Sequence, residues 1–209
     1  MFFIKIKRFL SSNKFFWKYR HLIQRSYSKP GSKKIHQFFY RIVNEYQVKS
    51  LLDYGFGKGD LLKELNGSSN ISFFFGIDIN KKNVKEIRKS FNKKNSFFSD
   101  ELNQNDLKKT LNHFGIYKID LIVFDRVLYI LNDKELKILL EKVSQLTDLI
   151  LIDDFYINES ITKSEYQHRD WIKIFQKYDF KCESQIESVN GSPINTCSKT
   201  FLFISNEKL

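Results

Sequence analysis

The stretch Leu51-Leu52-Asp53-Tyr54-Gly55-Phe56-Gly57-Lys58-Gly59-Asp60-Leu61-Leu62 decides the fold of this chain. It begins with an apolar run, continues through three glycines at alternate positions and returns to an apolar pattern. This order predicts a buried strand, a tight turn and the start of a helix. Glycines in such a turn allow positive φ angles and leave the backbone open to a ligand. The helix that follows directs its N–H groups and its positive dipole end toward that ligand.

An acidic residue follows the next predicted strand, where the run 73–77 leads directly into Asp78 and Ile79. In dinucleotide-binding folds a carboxylate in this place accepts the hydroxyls of an adenosine ribose. The glycines here are spaced G-x-G-x-G, whereas the dinucleotide fingerprint is G-x-G-x-x-G, so the spacing disfavours an NAD-dependent dehydrogenase. The simpler interpretation is that Asp78 caps a helix that begins near Lys81.

Taken together, the glycine turn and the two aspartates resemble the class I S-adenosylmethionine-dependent methyltransferases, whose first motif is D-x-G-x-G-x-G after an apolar strand. The resemblance is strongest over residues 51–131. It implies S-adenosylmethionine as the cofactor and an α/β fold, a three-layer α/β/α Rossmann-like sandwich. Its seven-stranded, mostly parallel sheet would have the order 3-2-1-4-5-7-6 and one antiparallel strand. The implied cofactor-binding residues are Asp53, Gly55, Gly57, Gly59, Asp78, Ile79, Asp100 and Asp125, with Glu101 competing with Asp100 for the adenine.

The segment after the predicted fourth strand is similar to the family's fourth motif, which lies beside the methyl acceptor. Many relatives carry a small residue at position 126 and a histidine near position 129, whereas this chain has Arg126 and Tyr129. The departure concerns the acceptor pocket more than the cofactor site. An arginine here suits an anionic acceptor, and it equally suits an ion pair with a local aspartate. We therefore treat Arg126 as a candidate for binding the acceptor.

Candidate catalytic groups lie near the ends of later elements. Asp154 follows the predicted fifth strand, and side chains at strand carboxyl ends face the crevice in doubly wound sheets. His168, with an ordinary pKa near ~6.5, could take a hydroxyl proton at neutral pH. Tyr129 is the third candidate for a catalytic role, and Arg169 is a second candidate for binding the acceptor. Ordinary capping of a helix or loop accounts equally well for Asp154, and it is the simpler interpretation of His168.

The absence of an N-P-P-Y-like motif after the fourth strand disfavours methylation of an amine or a nucleobase. We therefore predict an enzyme that methylates a small-molecule acceptor, at an oxygen of a glycan or of a lipid-linked intermediate. The alternatives are an RNA methyltransferase and a cofactor-binding scaffold that has lost its acceptor chemistry. Two cysteines and four scattered histidines lack the spacing of a structural zinc site, so no metal is expected.

The positive charge of the chain is concentrated near its N-terminus. Eleven Lys and Arg residues and no acidic residue precede Glu45, and they equal the whole net charge of +11. We predict a basic, aromatic-rich helical arm at residues 1–46 and an S-adenosylmethionine-binding domain at residues 47–209. The arm could cover the active site, lie on an anionic membrane or follow a nucleic-acid backbone. With few cysteines and no membrane-spanning run, the expected location is cytoplasmic, with peripheral membrane contact through the arm.

Overall fold

The computed structural model describes residues 32–68, 70–92, 94–157, 167–188 and 197–206. Most of the predicted basic arm lies outside this part of the chain, so its three interpretations stay predictions. The last part of the arm is a helix, α1 (Ser32–Glu45). Phe39 and Ile42 of α1 are buried in the core beneath the sheet. This helix therefore packs as part of the folded domain, although the sequence grouped it with the arm.

Seven strands form a single sheet in the order β3-β2-β1-β4-β5-β7-β6. Strands β1 to β5 are parallel where they pair, and β7 is antiparallel to both of its neighbours. The order and the antiparallel strand that the resemblance implied are confirmed. The strands are β1 (Ser50–Tyr54), β2 (Phe73–Ile77), β3 (Ser96–Ser99), β4 (Leu121–Asp125), β5 (Leu149–Phe155), β6 (Phe180–Glu187) and β7 (Ser198–Ser205).

Helices connect the strands and begin at side-chain caps. Asn80 caps α3, Asn132 forms a capping box with Glu135 at α5, and Asp170 caps α6. None of the described helices is long and apolar enough to span a bilayer. The remaining described helices are α2 (Asp60–Ser68), α3 (Lys81–Ile87), α4 (Gln104–His113), α5 (Asp133–Val143) and α6 (Trp171–Gln176), and a 3₁₀ turn covers Leu128–Ile130.

The sheet has a separate apolar core on each face. Alternate side chains of a strand enter opposite cores, so Leu51 packs with α1 to α3 and Leu52 packs with α4 to α6. Both faces are thus covered, which explains the nearly continuous apolar runs of the central strands. The predicted three-layer α/β/α sandwich is confirmed. Because β1, β2, β4 and β5 are parallel, their carboxyl ends meet at one edge of the sheet.

Two elements differ from the sequence prediction. Strand β5 was expected to end at residue 152, but it continues to Phe155 because Asp153 and Asp154 pair with residues 200 and 199 of β7. Both aspartates are therefore buried strand residues rather than residues of an open loop. Apolar residues at positions 171, 172, 174 and 175 predict a helix within residues 161–178, and this helix is observed as α6, which covers Trp171–Gln176, while residues 161–166 lie outside the described part of the chain.

Candidate active site

The turn between β1 and α2 depends on glycines with left-handed backbones. Gly55, Gly57 and Gly59 have φ angles of 84°, 56° and 72°. A Cβ atom on Gly55 would lie 2.6 Å from Cγ2 of Val127, so a larger residue does not fit there. Around Gly57, by contrast, no atom lies within 4 Å of the corresponding position. The backbone at Gly57 therefore faces open space into which a ligand can come close.

Asp78 lies directly beside this glycine turn. Its Oδ2 accepts a hydrogen bond from the Gly57 amide at 2.8 Å, and its Oδ1 accepts one from the Asn80 amide at 2.8 Å. The side-chain amide of Asn83 donates to Oδ1 at 3.3 Å. Asn80 rather than Asp78 caps α3, so the capping interpretation of Asp78 is wrong. The carboxylate is instead held in a fixed orientation at the carboxyl end of β2.

Three carboxylates converge at this edge of the sheet. Asp53 is the last residue but one of β1, Asp78 follows β2 and Asp125 ends β4. Burial, and then the charges of Asp125 and Asp78, raise the pKa of Asp53 well above its ordinary value. Carboxylates that repel one another in a buried place are stabilised by a positive charge. The edge is therefore suited to a cationic ligand.

The neighbouring surface has an apolar and an acidic side chain. Ile79 is 38% exposed although it follows a buried strand, and so offers an apolar surface next to Asp78. Asp100 follows β3 and pairs with Lys81 at 3.2 Å. Both side chains of this pair are substantially exposed, so the pair adds little to stability. Contact of a bound adenine with Asp100 or with Glu101 stays a prediction.

The post-β4 turn, residues 126–131, is held by two buried side chains. Asp154 is fully buried, and its Oδ2 accepts hydrogen bonds from the amides of Leu128 at 2.8 Å and Tyr129 at 3.1 Å. Burial raises the pKa of Asp154 to about 7, although hydrogen bonds from the amides of Phe155 and Tyr129 and the charge of Arg126 oppose the rise. From the other side, Arg169 donates to the carbonyls of Leu128 at 3.0 Å and Leu131 at 2.6 Å.

These contacts bear on two roles predicted from the sequence. Asp154 was a candidate catalytic group, yet its carboxylate lies inside the protein and binds backbone amides. Arg169 was a candidate for binding the acceptor, yet its guanidinium is 8% exposed and also bonds Asp133 and Gln167. The geometry gives both residues a structural part, so neither predicted role gains support. The pattern of residues did not reveal this because every partner in the turn is a backbone group.

Arg126 has a left-handed backbone, with a φ angle of 52°, and its side chain forms hydrogen bonds within the protein. Its Nε donates to Oδ1 of Asp153 at 2.7 Å, and its Nη2 donates to Ser188 at 2.7 Å. Asp153 also accepts hydrogen bonds from the hydroxyls of Ser188 at 2.8 Å and Thr200 at 2.6 Å. The ion pair with a local aspartate is therefore present, and binding of an anionic acceptor stays a prediction. Ser188 and Thr200 lie far away in sequence, which explains why they were missed.

Three residues that were predicted to act on or bind the acceptor lie around the ring of Phe155. Tyr129 packs against it edge-on with centroids 4.9 Å apart, and the His168 ring lies 5.6 Å away. The guanidinium of Arg126 lies 4.9 Å from the centre of the same ring. Phe155 was not predicted as a site residue, because a phenylalanine at the end of an apolar strand resembles an ordinary core residue. Tyr129 and His168 thus share one neighbourhood, and their catalytic roles stay predictions.

Comparison with known proteins places this geometry in context. The model of a family described as a methyltransferase domain matches residues 47–189. No curated protein sequence matches the chain significantly.

Among solved structures, the N-methyltransferase NodS from Bradyrhizobium japonicum WM9, in complex with S-adenosyl-L-homocysteine, has a TM-score of 0.68 at 12% identity, with 93% of this chain and 99% of that chain covered. Magnesium protoporphyrin IX methyltransferase from Synechocystis PCC 6803, with bound S-adenosylhomocysteine, has a TM-score of 0.62 at 14% identity, with 97% and 99% covered. The methyltransferase domain of bacterial CtHen1-C has a TM-score of 0.62 at 13% identity, with 84% and 98% covered. At such low identities these likenesses show a shared fold.

Proposed function

The chain belongs to the methyltransferase domain family, and we propose that it transfers a methyl group from S-adenosylmethionine to an oxygen of a small-molecule acceptor. The cofactor follows from the family. The acceptor class is our proposal, and a glycan or a lipid-linked intermediate is the specific form that we favour. The observation that carries the proposal is the fixed carboxylate of Asp78 beside the open backbone at Gly57.

The residues at the carboxyl edge of the sheet fit this cofactor. An adenosine ribose offers two hydroxyls, and the oriented carboxylate of Asp78 is suited to accept them. Ile79 provides an apolar surface for the adenine ring. The ammonium group of the amino acid part and the sulfonium are both positively charged, which suits the carboxylates of Asp53 and Asp125. When bound, S-adenosylmethionine supplies an electrophilic methyl group on that positively charged sulfur.

The protein's part in such a reaction is mainly to position two reactants and to exclude water. The post-β4 turn lies between the glycine turn and the Phe155 ring, because Val127 contacts Gly55 while Tyr129 packs on Phe155. An oxygen acceptor must also lose a proton. In our proposal His168 or Tyr129 accepts it, since the rings of both lie against Phe155.

The charge distribution supports a second candidate, an RNA acceptor. All of the net positive charge lies in the residues before Glu45. A basic segment that releases counterions from a phosphate backbone gives binding that weakens steeply with salt. RNA retention by the full-length protein that falls steeply over rising salt, together with labelled RNA product, would favour this candidate over a glycan or lipid acceptor.

Transfer of labelled methyl from S-adenosylmethionine tests the proposed function. We would incubate the full-length protein with glycans, lipid-linked saccharides and RNA, and separate the labelled products. The variant Asp78→Asn should lose transfer, whereas Asp106→Asn, which changes an exposed aspartate on α4, should retain it. Label on a saccharide oxygen supports the proposal. Label on RNA supports the second candidate, and cofactor binding without any labelled product indicates a scaffold.

A further inference from the structure

Two side chains from outside the post-β4 turn bind its backbone, one at amide groups and the other at carbonyl groups. Asp154 of β5 takes the two amides that a short 3₁₀ turn leaves exposed, those of Leu128 and Tyr129. Arg169, which precedes α6, takes the carbonyls of Leu128 and Leu131. Two ionisable side chains from different parts of the chain thus bind backbone groups of Leu128, Tyr129 and Leu131.

The clamped turn touches both halves of the candidate site. On one side Val127 fills the space above Gly55, the first glycine of the β1–α2 turn. On the other side Tyr129 packs edge-on against Phe155, at 4.9 Å between ring centres. A shift of the turn would therefore move Val127 relative to the glycine turn and Tyr129 relative to Phe155 at the same time. The turn is placed to set the distance between cofactor and acceptor.

We propose that Asp154 and Arg169 are positioning residues for methyl transfer, which hold the post-β4 turn so that Val127 supports the glycine turn and Tyr129 keeps its place against Phe155. The inference rests on the proposed function. It assigns both residues a role that acts through the turn, without contact to cofactor or acceptor. Methyl transfer requires an in-line approach at close range, so small displacements of the turn should weaken both cofactor binding and turnover.

A matched pair of aspartates allows this role to be separated from general stability. Asp120 also accepts two consecutive backbone amides, those of Lys49 and Ser50, each at 2.8 Å. It does so at the opposite end of the sheet, where β1 and β4 begin. Asp154→Asn and Asp120→Asn therefore both remove a carboxylate that binds paired amides. Only Asp154→Asn affects the post-β4 turn.

The test measures S-adenosylhomocysteine binding by calorimetry and amide hydrogen exchange, under conditions in which both variants are fully folded. We expect Asp154→Asn to weaken binding about tenfold and to speed exchange of the Leu128 and Tyr129 amides, while Asp120→Asn leaves binding within about twofold of wild type. Arg169→Lys should be intermediate between wild type and Arg169→Met, since an ammonium keeps the charge but lacks the planar fork whose two nitrogens bind the two carbonyls. Equal binding by wild type and Asp154→Asn overturns the inference.

A second variant keeps the inference testable if Asp154→Asn does not fold. Val127→Ala removes the two methyl groups that face Gly55 and leaves only Cβ there, and Val143→Ala truncates a buried valine of α5 as the control. We expect several-fold weaker S-adenosylhomocysteine binding in Val127→Ala alone. Unchanged binding in Val127→Ala overturns the inference. A wild-type protein that binds no S-adenosylhomocysteine overturns the proposed function, and this inference with it, so the two failures are distinguishable.

Discussion

At the scale of single residues, Asp53 links the charge of the candidate site to pH. Burial and the nearby charges of Asp125 and Asp78 raise its pKa well above the ordinary value, so the protonated form is favoured as long as no positive charge lies beside it. A ligand that carries an ammonium group favours the ionised form. Binding should therefore release a proton from Asp53 at pH values below its raised pKa.

We predict that S-adenosylhomocysteine binds more tightly as the pH rises through the raised pKa of Asp53. The titration is best made between about pH 5 and pH 7, where the ligand's amino group stays charged. Calorimetry in two buffers of different ionisation enthalpy gives the number of protons released. Asp53→Asn should flatten this dependence, with Asp154→Asn as the control for the other titrating carboxyl. Proton uptake on binding by wild type would contradict the prediction.

Two glycines of the β1–α2 turn should respond differently to the same substitution. In Gly55→Ala the new Cβ meets Val127 at 2.6 Å and the φ angle is 84°, so we expect a loss of unfolding free energy of roughly 1–3 kcal/mol. In Gly57→Ala the site is open, so only the left-handed backbone is penalised, by about 1 kcal/mol. Denaturant unfolding measures both, and a larger loss in Gly57→Ala would contradict the model of the turn.

At the scale of elements, the post-β4 turn ties stability to pH through Asp154. Burial raises the pKa of its carboxyl to about 7 in the folded state, from an ordinary value near 3.8. Between these values the folded protein holds a proton that the unfolded chain has released. The stabilisation from this proton is complete below the unfolded pKa and is lost as the pH rises through about 7.

We therefore predict that wild type loses more stability than Asp154→Asn as the pH rises from about 4 to about 7. Thermal unfolding across this pH window measures the stability of both proteins. Subtracting one curve from the other cancels the contributions of the titrating groups that both proteins share. Parallel curves for wild type and Asp154→Asn would show that the buried carboxyl stays ionised throughout.

The elements also show which features a sequence reveals. The glycine turn and the acid after β2 are local patterns, and both are found at the predicted place. The strand order was predicted from the family resemblance, because the spacing of strands along the sequence does not determine which of them pair. The extension of β5 and the bonds from Thr200 to Asp153 depend on pairing with a strand nearly fifty residues later. Such contacts leave no local signal, so the structural part of Arg169 was missed, whereas capping of a loop was one of the two interpretations given for Asp154.

At the scale of the whole molecule, the segregation of charge distinguishes the N-terminal segment from the rest. Its eleven positive residues equal the net charge of the chain. We predict that the full-length protein sediments with vesicles that contain phosphatidylserine and not with neutral vesicles. Replacing Lys5, Lys7 and Arg8 by glutamine should weaken this binding by roughly 1 kcal/mol per charge. Equal binding to neutral vesicles would contradict an electrostatic role for the arm.

The most direct test of the central claim, that the carboxyl edge of the sheet binds an adenosyl cofactor, is calorimetric titration of S-adenosylhomocysteine into wild type and Asp78→Asn. We predict micromolar binding by wild type, loss of binding in Asp78→Asn and no binding of NAD. Asp78 binds the Gly57 amide, so the variant's fold should be checked by its melting temperature. No binding of S-adenosylhomocysteine by folded wild-type protein, or equal binding by Asp78→Asn, would contradict the account.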